Sequence, residues 1–264
     1  MDVKKIIEII ETLAPLSGAA EWDRSGVQIA SRKTEVKKIG VTLDPLPGFV
    51  KAAADWGADF IFTHHPLYFA PKALDKTGGF LDTVGLVLGA EAWLYAAHTS
   101  LDALSRGAAG WLADELKLAG RSVLEPTDPN NPDAGLGIIG DLPQPVDFSE
   151  FAARLHDSVD REFWIMAGDA PETVSRVAYC TGSGGSLIGK AAKAGADVFV
   201  TGDVKYHQAL EAETTVIDVG HFSLEERMLH IFAEQLQSEL GNQGVTFKFF
   251  KGLEPFQIYK PEKE

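Results

Sequence analysis

The chain has 264 residues, 45% of them hydrophobic, a single cysteine and a net charge of −14 at pH 7. That length supplies one large α/β domain or two of ordinary size and excludes wholesale disorder, while the lone Cys180 excludes an internal disulfide framework and points to the cytoplasm. So acidic a surface disfavours broad association with nucleic acid or anionic lipid, although a local cationic centre can still attract a small anion.

Residues Met1 to Leu16 set Val3, Ile6, Ile7, Ile10 and Leu13 at helical spacing, with Lys4, Lys5, Glu8 and Glu11 between them. This reads as an amphipathic surface helix ending near Pro15, and its interleaved charges are unlike a signal or transit peptide. Lys38–Leu43 reads as a strand, Phe49–Trp56 as an Ala-rich helix closed by Gly57, and Asp59–Thr63 as a second strand. Such a β-α-β unit gathers its ligands at the carboxyl ends of its strands. The most apolar stretch, Gly85–Ala97, contains Glu91 and is far short of the roughly 20 residues that span a bilayer, so no membrane association is expected. Glu125–Asp133 (EPTDPNNPD) is the densest Pro/Asn/Asp cluster and reads as a linker. Gly135–Leu142 then reads as a strand and Phe148–Val159 as an amphipathic helix.

A second β-α-β unit follows: strand Ser175–Thr181, a turn through Gly182, Gly184 and Gly185, helix Leu187–Ala194 and strand Val198–Thr201. It repeats the first at one offset, since 177 − 39 and 195 − 57 both equal 138, and GADFIFT at 57–63 then falls on GADVFVT at 195–201. A further echo sets His98-Thr-Ser-Leu-Asp102 against His221-Phe-Ser-Leu-Glu225, each after an apolar run, Ala92–Ala97 and Thr215–Val219. Two related α/β halves account for both echoes. The tail reads as a helix from about Leu224 to Leu240, a turn at Gly241–Gly244, and strand-like runs at Val245–Phe250 and Phe256–Lys260.

Four of the seven histidines stand beside strand ends: His64, His65, His98 and His221. Adjacent residues leaving a strand point to opposite sides, so His64 and His65 suit two ions better than one. His221 and Glu225 are four apart on a helix and can reach a common ion, and His98 and Asp102 repeat that spacing. Imidazole with carboxylate suits zinc, iron or manganese, and a carboxylate can bridge two ions about 3.5 to 4 Å apart. Glu225, with its longer arm, is the expected bridge. The bland readings are a capping His-His pair and a surface His-x-x-x-Glu pair. Thr181–Gly185 reads as a tight strand-to-helix turn rather than a phosphate loop, because neither nucleotide-binding glycine pattern is in register. Asp203, Lys205 and His207 follow the strand end equivalent to Thr63 and are candidates for substrate contact; otherwise they begin a helix capped by Asp203. Cys180 reads as a buried, inert thiol.

Thr63-His-His-Pro-Leu67, His98-Thr-Ser-Leu-Asp102, Thr201-Gly-Asp-Val-Lys-Tyr-His207 and Gly220-His-Phe-Ser-Leu-Glu225 resemble, in order and spacing, the GTP cyclohydrolase I type 2 homologues, or interacting-factor-three-like proteins. The resemblance extends from Glu21-Trp-Asp23 and Gly26-Val-Gln28 to the final helix. It implies two interlocked α/β domains, 1–125 plus 215–264 and 126–214, in the compact form without an inserted domain. It further implies a toroidal homohexamer and a dinuclear centre in the cleft between domains. The ligands carried over by motif are His64, His65, Asp102, His221 and Glu225, with His98 as proton donor or orienter. The chain departs from the family pattern at Arg24, Ser100, Gly107–Trp111 and Phe222–Leu224, none of them a ligand.

Two divalent ions against Asp102 and Glu225 leave a net positive centre able to attract a nucleotide-like anion. The leading expectation is metal-assisted hydrolysis that opens the guanine imidazole ring of GTP and releases formate. The alternatives are a two-metal phosphoesterase and a metal-binding regulatory or interaction protein with little turnover.

Overall fold

The computed structural model describes residues 1–260. Helix α1 (Val3–Leu13) begins at Asp2, whose carboxylate accepts from the Lys4 N–H, and it buries Val3, Ile6 and Ile10. The first run of elements is β1 (Gly26–Ile29), β2 (Lys38–Thr42), α2 (Pro47–Trp56), β3 (Phe60–Thr63), α3 (Gly79–Gly89), β4 (Trp93–Ala96) and the single turn α4 (Thr99–Asp102). Pro47 fits the first turn of α2, where its missing N–H costs nothing, and Gly57 ends the helix with φ 84°. After α5 (Trp111–Glu115) come β5 (Ala119–Pro126), β6 (Gly135–Asp147), α6 (Phe148–Ser158), β7 (Ile165–Ala167) and β8 (Thr173–Ser183). Then follow α7 (Ile188–Lys193), β9 (Val198–Gly202), α8 (Tyr206–Leu210), β10 (Thr215–Asp218), the long α9 (His221–Leu240) and β11 (Thr246–Phe249).

The strands form two sheets, ordered β1-β4-β3-β2-β11 and β5-β6-β8-β9-β10-β7. Each contains a parallel trio, β2-β3-β4 in one and β8-β9-β10 in the other, flanked by an antiparallel strand on its last member. Ile39 pairs with Phe60 in the first sheet and Val177 with Val198 in the second, the register expected from the offset of 138 residues read in the sequence. The internal repeat is therefore structural as well as textual.

Alternation along the strands separates two faces. Phe60 and Phe62, Val177 and Tyr179, and Val198 and Val200 enter one large core, while Ile61, Ala178 and Phe199 face away into smaller cores under α2 and α3 or under α7. The large core is shared because α9 packs between the sheets, burying Leu224, Met228, Leu229, Phe232 and Leu236. Phe62 stacks on Phe232 with ring centroids 5.0 Å apart, joining β3 to α9.

Several expectations shift. Glu125–Asp133 joins β5 to β6, which pair antiparallel in one sheet, so it is a connection within that sheet and not a linker between sheets. By strand membership the second sheet takes in both 119–126 and 215–218, and the first regains 246–249; residues 261–264 of the 215–264 range lie outside the described residues. Helix α9 starts at His221 rather than Leu224. Phe256–Lys260 is not a strand: it follows Pro255 and leaves Phe256, Ile258 and Tyr259 exposed, with no sheet burying its apolar side. Among the described residues, no helix is long and apolar enough to cross a membrane.

Candidate metal centre

The carboxyl ends of the two parallel trios face one another, and the strand-end histidines meet there. His64 and His65 leave β3, His98 precedes α4, and His221 opens α9. His64 is fully buried, and its ring lies 5.0 Å from that of His65 and 5.3 Å from that of His98; His65 and His221 are 5.5 Å apart. Asp102 and Glu225 enter from the ends of α4 and α9. Two ligand triads result, His64–Asp102–Glu225 and His65–His221–Glu225, with ligand atoms in each triad within 4.8 Å of one another. A third grouping, His64–His65–His98, meets the same limit.

Each imidazole is held through Nδ1. His64 Nδ1 is 2.8 Å from the carbonyl of Ala97, which can only accept, so that nitrogen carries the hydrogen. His65 Nδ1 donates to Asp44 at 2.8 Å, His98 Nδ1 to Asp23 at 2.7 Å and His221 Nδ1 to Asp203 at 2.8 Å. Pinning Nδ1 to an oxygen fixes the ring and presents Nε2, the arrangement that orients metal-binding histidines. Glu225 Oε1 lies 3.5 Å from His64 Nε2, and Oε2 lies 3.0 Å from His65 Nε2 and 2.8 Å from His221 Nε2. The two carboxylate oxygens thus serve different triads.

With Nδ1 protonated, neutral imidazoles direct lone pairs from Nε2 toward carboxylate oxygens and toward each other, His65 and His221 at 3.4 Å. His64 Nε2 is buried without a hydrogen-bond partner, and the buried Glu225 Oε2 has imidazole nitrogens in reach that can bond to it only when they carry a proton. So many acceptors facing one another require a cation between them, a proton or a metal. Protons carry that role in the metal-free chain. Burial disfavours charge on His65, but hydrogen bonds to Asp44 and Glu225 outweigh it and raise its pKa to about 10. The same opposition, with Glu225 and Asp203 prevailing, lifts His221 to about 9. His64 is raised by Glu225 and Asp102 against its burial. Glu225 is held well below the carboxylate range because His64, His221 and His65 outweigh burial, whereas burial and the neighbouring Glu225 charge raise Asp102. Nitrogen and oxygen donors in this mixture fit zinc, iron or manganese, and no thiol competes, since Cys180 is buried and its thiol is pushed up by that burial.

Backbone packing makes the space. Gly182 has φ 59°, and a Cβ there would overlap Glu225 Oε1 and lie 2.9 Å from its Cδ. Thr181 Oγ1 donates to Asp102 at 2.7 Å. The glycine-rich turn is therefore the wall of the cluster, and Lys190 faces away to pair with Glu125 at 2.6 Å. A cavity of about 650 Å³ opens beside His65 and His221, lined also by Asp203, Phe222, Arg161 and Glu254. Of the three candidates for substrate contact, Asp203 reaches this cavity, while Lys205 and His207 lie exposed on α8 and its approach, outside its lining.

Residues missed in the sequence are the orienting acids Asp23 and Asp44, the Ala97 carbonyl, Thr181, and the exposed Trp22 and Phe69 that flank His98 at 5.9 and 5.6 Å. Asp44 looks like a turn residue before Pro45, and nothing local in the sequence ties it to His65. Asp23 sits in the Glu21-Trp-Asp23 motif, which was visible without a role.

Two related α/β sheets whose facing strand ends converge histidines and carboxylates define a candidate metal-binding protein of two-fold internal repeat. The chain belongs to the DUF34/NIF3 (NGG1p interacting factor 3) family, whose model matches residues 1–254. It is similar to a GTP cyclohydrolase 1 type 2 homolog of Clostridium perfringens, 28% identical over 98% of this chain and 100% of the relative. A homolog of the same description from Methanocaldococcus jannaschii is 32% identical over 94% of this chain and 100% of its own. Among solved structures, reduced HcgD from Methanocaldococcus jannaschii superposes with a TM-score of 0.82 at 31% identity, covering 94% of this chain and 97% of that one. A Bacillus cereus protein related to NIF3 gives a TM-score of 0.86 over 98% of this chain and 99% of its own; at 23% identity it speaks for the fold alone.

Proposed function

We propose that the protein is a dinuclear-metal-dependent hydrolase that opens the guanine imidazole ring of GTP and releases formate. The carrying observation is the convergence of three Nε2 atoms on the two oxygens of Glu225, with every Nδ1 already pinned. His64, Asp102 and Glu225 would hold one ion, and His65, His221 and Glu225 the other, with Glu225 shared. Divalent ions so bound supply Lewis acidity and lower the pKa of water toward neutrality. The chain's own residues do the rest. Asp44, Asp203 and the Ala97 carbonyl keep the imidazole rings aimed, and the Gly182 backbone leaves room for the shared carboxylate. His98, held by Asp23 beside His64 and His65, would give a proton to the nitrogen released as the ring opens, a role its nearness to both rings supports. Two waters are consumed, one opening the ring to a formamide and one freeing formate. GTP enters from the description of the relatives. The family resemblance also supports a cytoplasmic toroidal hexamer, which light scattering of the purified chain reads directly.

The test is formate release from GTP by protein loaded in turn with zinc, manganese and iron, with metal content measured alongside. Glu225→Gln should lose metal and formate production together. Protein that holds two ions per chain yet releases no formate over hours would overturn the reaction, and turnover of an aryl phosphate instead would reassign the site to phosphoester chemistry.

A further inference from the structure

The cavity beside the cluster has a cationic wall that the cluster does not explain. Arg161 follows α6, and its side chain is only 12% exposed. Its Nε and Nη1 are both buried and donate to nothing among the described residues. The guanidinium lies 4.7 Å from the Phe163 ring centroid, and a Cβ on Gly220 would overlap it, so the residue directly before His221 is one that leaves it room. Its acidic neighbour, Glu254 on the extended segment after β11, has Oε2 3.6 Å from Nη1, beyond hydrogen-bond length. A guanidinium does not deprotonate, so two desolvated donors without acceptors are a standing cost that an incoming oxyanion removes.

We propose that Arg161 is the seat for a phosphate group of the ligand. Resting on the hydrolase reading for what lies at the other end of the cavity, this names the substrate class as phosphorylated small molecules. Nε and Nη1 lie on different edges of the planar guanidinium, and each forms with Nη2 a parallel pair of N–H donors that matches a phosphate in bidentate fashion, with Phe163 backing the plane from one side. The cavity of about 650 Å³ holds a nucleotide-sized molecule, with Arg161 and the His65–His221 edge of the cluster on its lining. Glu254 stands at the seat in the free protein and repels an anion there.

Binding of inorganic phosphate by calorimetry, on metal-loaded and chelator-treated protein, tests this with Arg161→Gln, Arg161→Lys and Glu254→Gln. Arg161→Gln should bind phosphate about 10- to 100-fold more weakly, at unchanged metal content. Arg161→Lys, which keeps charge but loses the fork, should fall between, and Glu254→Gln should bind as tightly as the unchanged protein or more tightly. Equal phosphate affinity in Arg161→Gln and the unchanged protein would overturn the seat. So would a matching loss in Glu254→Gln, which would make Arg161 and Glu254 a structural pair. If the unchanged protein retains no metal but still loses phosphate with Arg161→Gln, the hydrolase reading falls and the seat stands. If metal is retained and Arg161→Gln binds phosphate normally, the seat falls and the metal centre stands.

Discussion

Gly182→Ala should damage the cluster without replacing any proposed ligand. Gly182 is at φ 59°, a left-handed conformation that costs an L-residue about 1–2 kcal/mol. The new methyl would also overlap Glu225, whose side chain is 4% exposed and held by His221 at 2.8 Å, His65 at 3.0 Å and His64 at 3.5 Å. A free carboxylate would swing aside cheaply; this one must give up a charge-assisted contact worth about 1.5–3 kcal/mol. Together these predict about 2.5–5 kcal/mol lost from chelator-treated protein, and metal affinity reduced about 10- to 100-fold, as for other displaced metal-site partners. Gly195→Ala is the control, because Gly195 has φ 78° with open space around its missing Cβ and so carries the backbone cost alone. Urea denaturation gives the first quantity and metal analysis after dialysis the second. If Gly182→Ala and Gly195→Ala proved equal in both, the idea that this glycine exists to admit Glu225 would be wrong.

Two further outcomes follow from the same geometry. In chelator-treated protein His65 and His221 titrate near 10 and 9, above the ordinary value of about 6.5. A raised imidazole pKa stabilises the fold fully below pH 6.5 and loses that contribution as pH climbs through 9 and 10, so the urea midpoint should fall between pH 7 and 10. Zinc binding at pH 7.5 should correspondingly release protons, read from the buffer dependence of the binding heat; a pH-flat midpoint together with proton-neutral uptake would contradict protonated imidazoles in the cluster. Phe232, 1% exposed and stacked on Phe62 at 5.0 Å, ties α9 to β3. Phe232→Ala should cost about 3–5 kcal/mol, whereas Phe232→Leu should cost much less; near-equal denaturant midpoints for the two would show that the aromatic contact does not set the packing of α9.

The parts legible in the sequence are those where chemistry and periodicity coincide locally. The β2-α2-β3 unit and its repeat are legible through β-branched runs on either side of helices closed near Gly57 and Gly195, and the histidines through their place after such runs. Asp44 and Asp23 reach His65 and His98 from 21 and 75 residues away, and no local pattern encodes those distances. Sheet membership was similarly hidden at Glu125–Asp133: proline and asparagine announce a loop there, but only tertiary pairing of β5 with β6 shows that the loop stays within one sheet. At Phe256–Lys260 alternating apolar residues suggested a strand, yet alternation cannot form one without a ladder to join, and the apolar side chains stay in water.

The internal repeat also explains why the site is lopsided. At the offset of 138, His64 and His65 correspond to Gly202 and Asp203. A Cβ at Gly202 would lie 2.7 Å from both the Gly220 carbonyl carbon and the His221 Cα, so the close approach of α9 leaves no room there for a second His-His pair. Asp203, at φ 57°, turns instead to hold His221 Nδ1, the service that Asp23 performs for His98. The end of β3 thus contributes the His64–His65 pair, the matching end of β9 contributes space and orientation, and His221 and Glu225 enter from α9, which follows β10. Neither triad is complete within one half, because each needs Glu225 from the helix that both sheets bury. Any ion held there is therefore coupled to the packing of α9, and loosening that helix should weaken both positions together rather than one.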